Sequence, residues 1–170
     1  STLHAWDAIV EITGPEGVRR LPIHDFYIKA GKVDLRPGEL QTAIIIPKKA
    51  YEGYFGHYIK YAMRKAMDIA TTGCSVNVKL SEDKKTILDA RIAYGVAGPV
   101  PMRAPSAEAK IRGKETGRAA VKEFAQAVLE DINPRDSWRA AKDFREHIAT
   151  VLAERALCES IRLAGGEVHE

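Results

Sequence analysis

From about residue 50 onward, apolar and polar positions alternate with the period of an antiparallel sheet and then change to the period of helices. In "YFGHYIKYAMR", Phe55, His57, Ile59, Tyr61 and Met63 share one face. In "CSVNVKL", Cys74, Val76, Val78 and Leu80 share a face, with Ser75, Asn77 and Lys79 opposite. Side chains of a strand point alternately to its two sides, so this is the pattern of a half-buried sheet. "SEDKK" at 81–85 has the composition of a hairpin turn, and "TILDARIAYGVAG" returns with Leu88, Ala90, Ile92, Tyr94 and Val96 inward. The pattern predicts a three-stranded antiparallel meander over 52–97.

"GPVPMRAP" is expected to end that sheet, because Pro99, Pro101 and Pro105 cannot join a central ladder. Helices are expected over 104–165. Ser106 is a candidate cap with Glu108 in the first turn. "ETGRAAVKEFAQAVLEDI" sets Ala120, Phe124, Ala127 and Val128 on one stripe. The last helix sets Ala141, Phe144, Ile148, Val151, Leu152 and Cys158 on another, with Asp136 or Ser137 as its cap and Gly165 and Gly166 at its end. Arg155 falls near the middle of this second stripe, where an unpaired guanidinium is too costly, so a carboxylate or helix-end carbonyl is expected beside it.

The first 47 residues read differently. "DAIVEITGPEGVRRLPI" is a hairpin turning at Gly14, Pro15 and Gly17. Ala43 to Ile46, stopped by Pro47, is an apolar run expected to be a strand buried on both faces. So few strands do not make a free-standing domain, since a small sheet needs more strands or a covering layer. The whole is therefore an α+β chain: a three-stranded antiparallel sheet packed with a three-helix bundle over 49–170, preceded over 1–48 by the last strands of a truncated domain.

Composition narrows the function classes. At 170 residues, 45% hydrophobic and 29% charged, the chain can bury a core without staples. No apolar run approaches the roughly 20 residues that span a bilayer, and "STLHAWDAIVEI" does not have the pattern of a signal peptide, so a cytoplasmic location is expected. Cys74 and Cys158 lie far apart, which supports neither a disulfide framework nor a C-x-x-C metal site. The net charge of +3 comes from interspersed cations and acids, and argues against nucleic acid as a partner.

No Ser-His-Asp order, Walker loop or dinucleotide fingerprint is present, and the five histidines have no metal-ligand spacing. His57 reads as a hydrogen-bonded core residue. No catalytic or metal-binding residue is therefore assigned. One stretch stands out: "YIKYAMRKAMDIATTG" places Lys60, Arg64, Lys65 and Asp68 in one short connection between strands. Lys60 lies on the face opposite Phe55, Ile59 and Tyr61. Such charge is either a solvated turn or a site for an anionic or phosphate-bearing cofactor, because loops concentrate both exposure and binding.

Four segments in order, "RPGELQTAIIIP", "YIKYAMRKAMDIATTGCSV", "GVAGPVPMRAP" and "SWRAAKDFREHIATVLAERAL", resemble the FAD-binding (medium) subunit of molybdenum hydroxylases, nearest to that of bacterial xanthine dehydrogenases. The resemblance implies that 49–170 is the CO dehydrogenase flavoprotein C-terminal domain. It implies that 1–48 is the C-terminal remnant of an FAD-binding domain whose Gly-rich pyrophosphate loops lie outside the likeness. It also implies cofactor-contacting residues: Lys60 at a strand end, the loop Arg64 to Ile69 with Asp68 and Ile69 as its Asp-Ile-Ala ending, and Gln41, where the family commonly has an aliphatic residue. Arg155 in "ERAL" matches a recurrent arginine.

The same resemblance implies a share in an oxidoreductase. FAD would take electrons from [2Fe-2S] clusters on one partner subunit, fed by molybdopterin on another, and pass them to NAD or another acceptor. The N-terminal half of the FAD domain is a further expected partner, and the isolated chain is expected to be inactive. The alternative is a cofactor-free assembly or docking module.

Overall fold

The computed structural model describes all 170 residues. Its elements in chain order are α1 (Thr2–Ala5), β1 (Ile9–Gly14), β2 (Gly17–Pro22), α2 (Ile23–Phe26), β3 (Tyr27–Lys29), β4 (Lys32–Val33), β5 (Leu40–Ile45) and α3 (Lys48–Tyr51). Then come β6 (Phe55–Tyr61), β7 (Thr72–Leu80), β8 (Ile87–Gly95), β9 (Met102–Arg103), α4 (Pro105–Ile111), α5 (Arg118–Ala127) with a 3-10 turn at Val128–Glu130, and α6 (Lys142–Leu163). No helix is long and apolar enough to cross a membrane.

The main sheet runs β6-β7-β8-β9, all antiparallel. The expected meander is present, with a correction at its edge. Met102 and Arg103, between two prolines, add a short fourth strand against Tyr94 and Ala93. An edge position tolerates flanking prolines because one side of its ladder stays open. β7 is buried along both faces: α6 covers one, and α1 lies on the other, where Asn77 Nδ2 donates to the Ala5 carbonyl at 2.9 Å. Ser75 and Asn77 do face away from Val76, as the alternation predicts, but they are buried under the N-terminal turn.

On β8 the expected inward set shifts at one end. Lys79 pairs with Asp89 while Leu80 pairs with Ile87, so Leu88 is the extra residue of a bulge. Ile87 takes the inward place, and Leu88 turns out at 48% exposure. Val96, Phe55 on β6 and Met63 just beyond its end are also exposed, while Ile59 and Tyr61 pack against the core. His57 is half-buried and has no side-chain hydrogen bond, contrary to its expected core role. Tyr94, fully buried, donates its hydroxyl to the Ala149 carbonyl at 2.8 Å and ties sheet to α6.

α4 starts two residues earlier than a cap at Ser106 implies. Ala104 is the cap position and Pro105 the first helical residue, which suits its fixed φ. Ser106 instead engages the Asp131 carboxylate through its N–H and its hydroxyl. For α6, the cap position is Ala141 and not Asp136 or Ser137; Asp136 reaches in from the preceding turn and accepts from the N–H of the first helical residue, Lys142, at 2.7 Å.

The face α6 buries differs from expectation. Its buried residues are Arg145, Ala149, Leu152, Ala153, Ala156, Leu157, Ser160 and Ile161, and the four small ones among them let the helix lie close on β7. Phe144 is exposed, Ile148 and Val151 are half-buried, and Arg155 is exposed without an ion pair. The buried cation of this helix is Arg145.

The N-terminal sheet, β2-β1-β5, rests on a cluster of only Ala8, Val10, Ile12, Ile23 and Phe26. β5 is its edge strand, so Ile44 and Ile46 are exposed and Ala43 and Ile45 only half-buried, not enclosed on both faces. A seam of charge fastens this part to the main sheet. Asp7 meets Arg103 at 2.5 Å, Arg91 at 3.3 Å and His24 at 3.1 Å, and Arg103 also forks onto Glu108.

Candidate functional site

The charged connection between β6 and β7 is an ordered loop. Its base is closed by the Thr71 N–H donating to the Tyr61 carbonyl at 2.8 Å. Within it, Asp68 is the organising residue. One carboxylate oxygen accepts from the Arg64 backbone N–H at 2.8 Å and the other from the Ile69 N–H at 2.9 Å. Arg64 reaches back to the Met67 carbonyl at 2.8 Å and lies 3.8 Å from the Asp68 carboxylate. Burial pulls the Asp68 pKa upward, but the backbone N–H groups and the Arg64 charge outweigh it and hold the carboxyl below its ordinary value. Met67 sits in the left-handed region at φ 49°, which turns the chain back on itself.

Lys60 Nζ donates to the Asp68 carbonyl at 2.5 Å. An ammonium carries three donors, so two remain for a ligand. The strand register sets Lys60 opposite Gly73, and a side chain there would strike the Tyr58 hydroxyl at 2.8 Å. Tyr58 thus packs over Gly73 in the space that a side chain at 73 would fill.

Two clefts flank the loop. One, of about 410 Å³, is lined by Lys60, Ala62, Met63, Arg64, Lys65, Ala66 and Asp68. The other, of about 500 Å³, lies between the loop residues Met63, Arg64, Met67, Asp68 and Ile69 and the side chains of Trp138 and Arg139. Met67 and Trp138 are 94% and 85% exposed, and the Arg139 guanidinium stacks 4.2 Å from the indole. A third hollow, at the β1–β2 turn, is walled by turn residues and the Arg19–Glu39 pair, and it collects no unspent charge.

Of the residues singled out from sequence, Lys60, Arg64, Asp68 and Ile69 converge on this loop. Gln41 does not join them. It is exposed on β5 of the N-terminal sheet, paired with Ile12, and lines neither cleft. Sequence reasoning missed Trp138, Arg139 and Arg145. The available signal was an aromatic residue flanked by arginines just before a helix, in "PRDSWRAAKDFR".

The arrangement can hold a flat, partly polar group. Alanine and methionine side chains give an apolar bed, and the Lys60 ammonium and an unpaired Lys65 give donors for ring-edge acceptors. No side chain in it is poised as a nucleophile or general base.

Known proteins resemble this chain over nearly its whole length. Residues 57–160 match the CO dehydrogenase flavoprotein C-terminal domain, and residues 1–49 match the FAD binding domain in molybdopterin dehydrogenase. The chain is 37% identical to the xanthine dehydrogenase FAD-binding subunit of Escherichia coli O157:H7, over 96% of this chain and 55% of that one. It is 31% identical to the glyceraldehyde dehydrogenase medium chain of Sulfolobus acidocaldarius, over 92% and 54%. Among solved structures, carbon monoxide dehydrogenase from Hydrogenophaga pseudoflava superposes with a TM-score of 0.84 at 30% identity, over 94% of this chain and 54% of that one. The chain thus spans about half the length of these relatives.

Proposed function

The chain belongs to the FAD-binding subunits of molybdenum hydroxylases, and on that premise we propose that the loop of residues 62–70 bears on the isoalloxazine edge of FAD. The observation that carries the reading is the Lys60–Asp68 arrangement. Asp68 spends its charge on folding the loop, which leaves the Lys60 ammonium with donors to spare beside an apolar bed.

Bound FAD supplies the redox chemistry, taking up electrons and passing them on to NAD or another acceptor. This chain's residues do the holding. Lys60 donates to a ring-edge acceptor, Arg64 and Asp68 shape the loop, and Ile69 with Met63 excludes water. In the domain division we propose, 1–48 closes the FAD-binding domain and 49–170 is the second domain. The rest of the FAD-binding domain joins along the open β5 edge, near Gln41, and the exposed Leu40, Ile44 and Ile46 are apolar surface for it to cover. Molybdopterin and [2Fe-2S] centres belong on partner subunits in this reading, and the activity belongs to the complex.

The test is Lys60→Met in the flavoprotein purified with all its natural partners, titrated with FAD. A hydrogen bond from a charged donor contributes about 1.5–3 kcal/mol, so FAD affinity should fall roughly 10- to 100-fold. Unchanged affinity would remove Lys60 from the site.

A further inference from the structure

Of the arginines, only Arg135, Arg139, Arg145 and Arg155 form no ion pair, and the first three meet near the second cleft. Arg145 is the unusual one, because it is 3% exposed and still lacks a carboxylate. Its Nη1 donates to the Thr71 carbonyl and its Nη2 to the Ser137 hydroxyl at 2.9 Å, while Nε has no partner. Burial first, and then the charges of Arg135 and Arg139, push its pKa down. A group held at such cost calls for an explanation beyond packing.

The two acceptors supply one. Thr71 closes the base of the loop through its bond to Tyr61. Ser137 closes the base of the turn that carries Trp138 and Arg139, since Ser137 and Ala140 exchange backbone hydrogen bonds at 3.1 Å and the Arg139 N–H donates to the Ser137 hydroxyl at 3.3 Å. The loop and the turn are the two walls of the 500 Å³ cleft. A planar guanidinium donates from separate nitrogens at fixed angles and here holds both walls at once through Nη1 and Nη2, whereas a lysine would bring a single flexible nitrogen to the two acceptors.

We propose that Arg145 is a positioning residue that holds loop 62–70 and turn 137–140 as one unit, and thereby fixes how the loop is presented to the flavin. The last clause rests on the function proposed above; the coupling of loop and turn does not.

The experiment is hydrogen–deuterium exchange on the intact flavoprotein complex, with the visible circular dichroism of its bound flavin as second readout. Arg145→Gln should raise exchange about tenfold in the peptides covering 62–71 and 137–141 together, leave the middle of α6 unchanged and alter the flavin signal. Arg145→Lys keeps the charge and should not restore the joint protection. Ser137→Ala cuts one tie only, and should loosen the turn while the loop stays protected. Should Arg145→Gln not fold, Ser137→Ala and Arg145→Lys carry the test. Exchange unchanged in both segments, a rise in one alone for Arg145→Gln, or full rescue by lysine overturns the proposal. A joint rise with an unaltered flavin signal keeps the coupling and overturns the flavin reading instead.

Discussion

His4 shows how much a single residue at the joint of this molecule contributes. It is 2% exposed, packed edge-on to His24 with ring centres 5.0 Å apart, and its Nε2 has no partner. Burial, followed by the charges of His24 and Arg103, pushes its pKa down to about 4, against an opposing pull from Asp7. The unfolded chain takes up that proton near 6.5. Stability is therefore full above pH 6.5 and lost as the pH falls toward 4, by on the order of 2–3 kcal/mol. Urea melts across this window should slope downward, and His4→Gln should flatten them. The carboxylates of Asp7 and Asp68, held low, add losses only at still lower pH. Residue by residue, the sequence put Lys60, Arg64, Asp68 and Ile69 at one connection between apolar strands, and the structure gathers them there around Asp68. It misled at Arg155. The stripe drawn there weighted bulky residues, and the actual face of α6 intersperses Leu152, Leu157 and Ile161 with Ala149, Ala153 and Ala156, which carry little hydrophobic signal but allow close approach.

At the scale of elements, that close approach is itself testable. Ala153 and Ala156 are fully buried on the face α6 turns to the sheet. Enlarging either to leucine adds methylenes to a packed seam and should cost roughly 1–3 kcal/mol, read as a lowered denaturation midpoint. Arg155→Ala, on the exposed side, should leave the midpoint within about 0.5 kcal/mol. The strands were legible because period-2 alternation survives in β7 and β8. The bulge at Leu88 and the short β9 were not, since both depend on the register of a partner strand and not on local pattern. The loop at 62–70 holds its form through Asp68, so Asp68→Asn should loosen it. Exchange of the Arg64 and Ile69 amides should accelerate several-fold while β6 and β7 remain protected.

At the scale of the whole molecule, two unequal cores are joined by few but strong contacts. Arg103 is the hub, gripping Asp7, the His4 carbonyl and the buried Glu108. Arg103→Met leaves Glu108 buried without its cation and releases the N-terminal segment. A loss of about 3–5 kcal/mol is expected, with earlier proteolysis in the first 48 residues. The N-terminal part buries a cluster of only five residues, and so small a sheet is expected to need a covering layer. That expectation was legible from strand count; its fastening through Asp7 and Arg103 was not, because those residues lie 96 positions apart.

The most direct measurement is the structure of the flavoprotein with FAD bound, purified with every polypeptide that accompanies it. The isoalloxazine should lie in contact with Lys60 and the loop from Arg64 to Ile69, on the side of the 410 Å³ cleft. A flavin ring seated elsewhere, with Lys60 still bonded only to Asp68 and solvent, would contradict the role given to this loop.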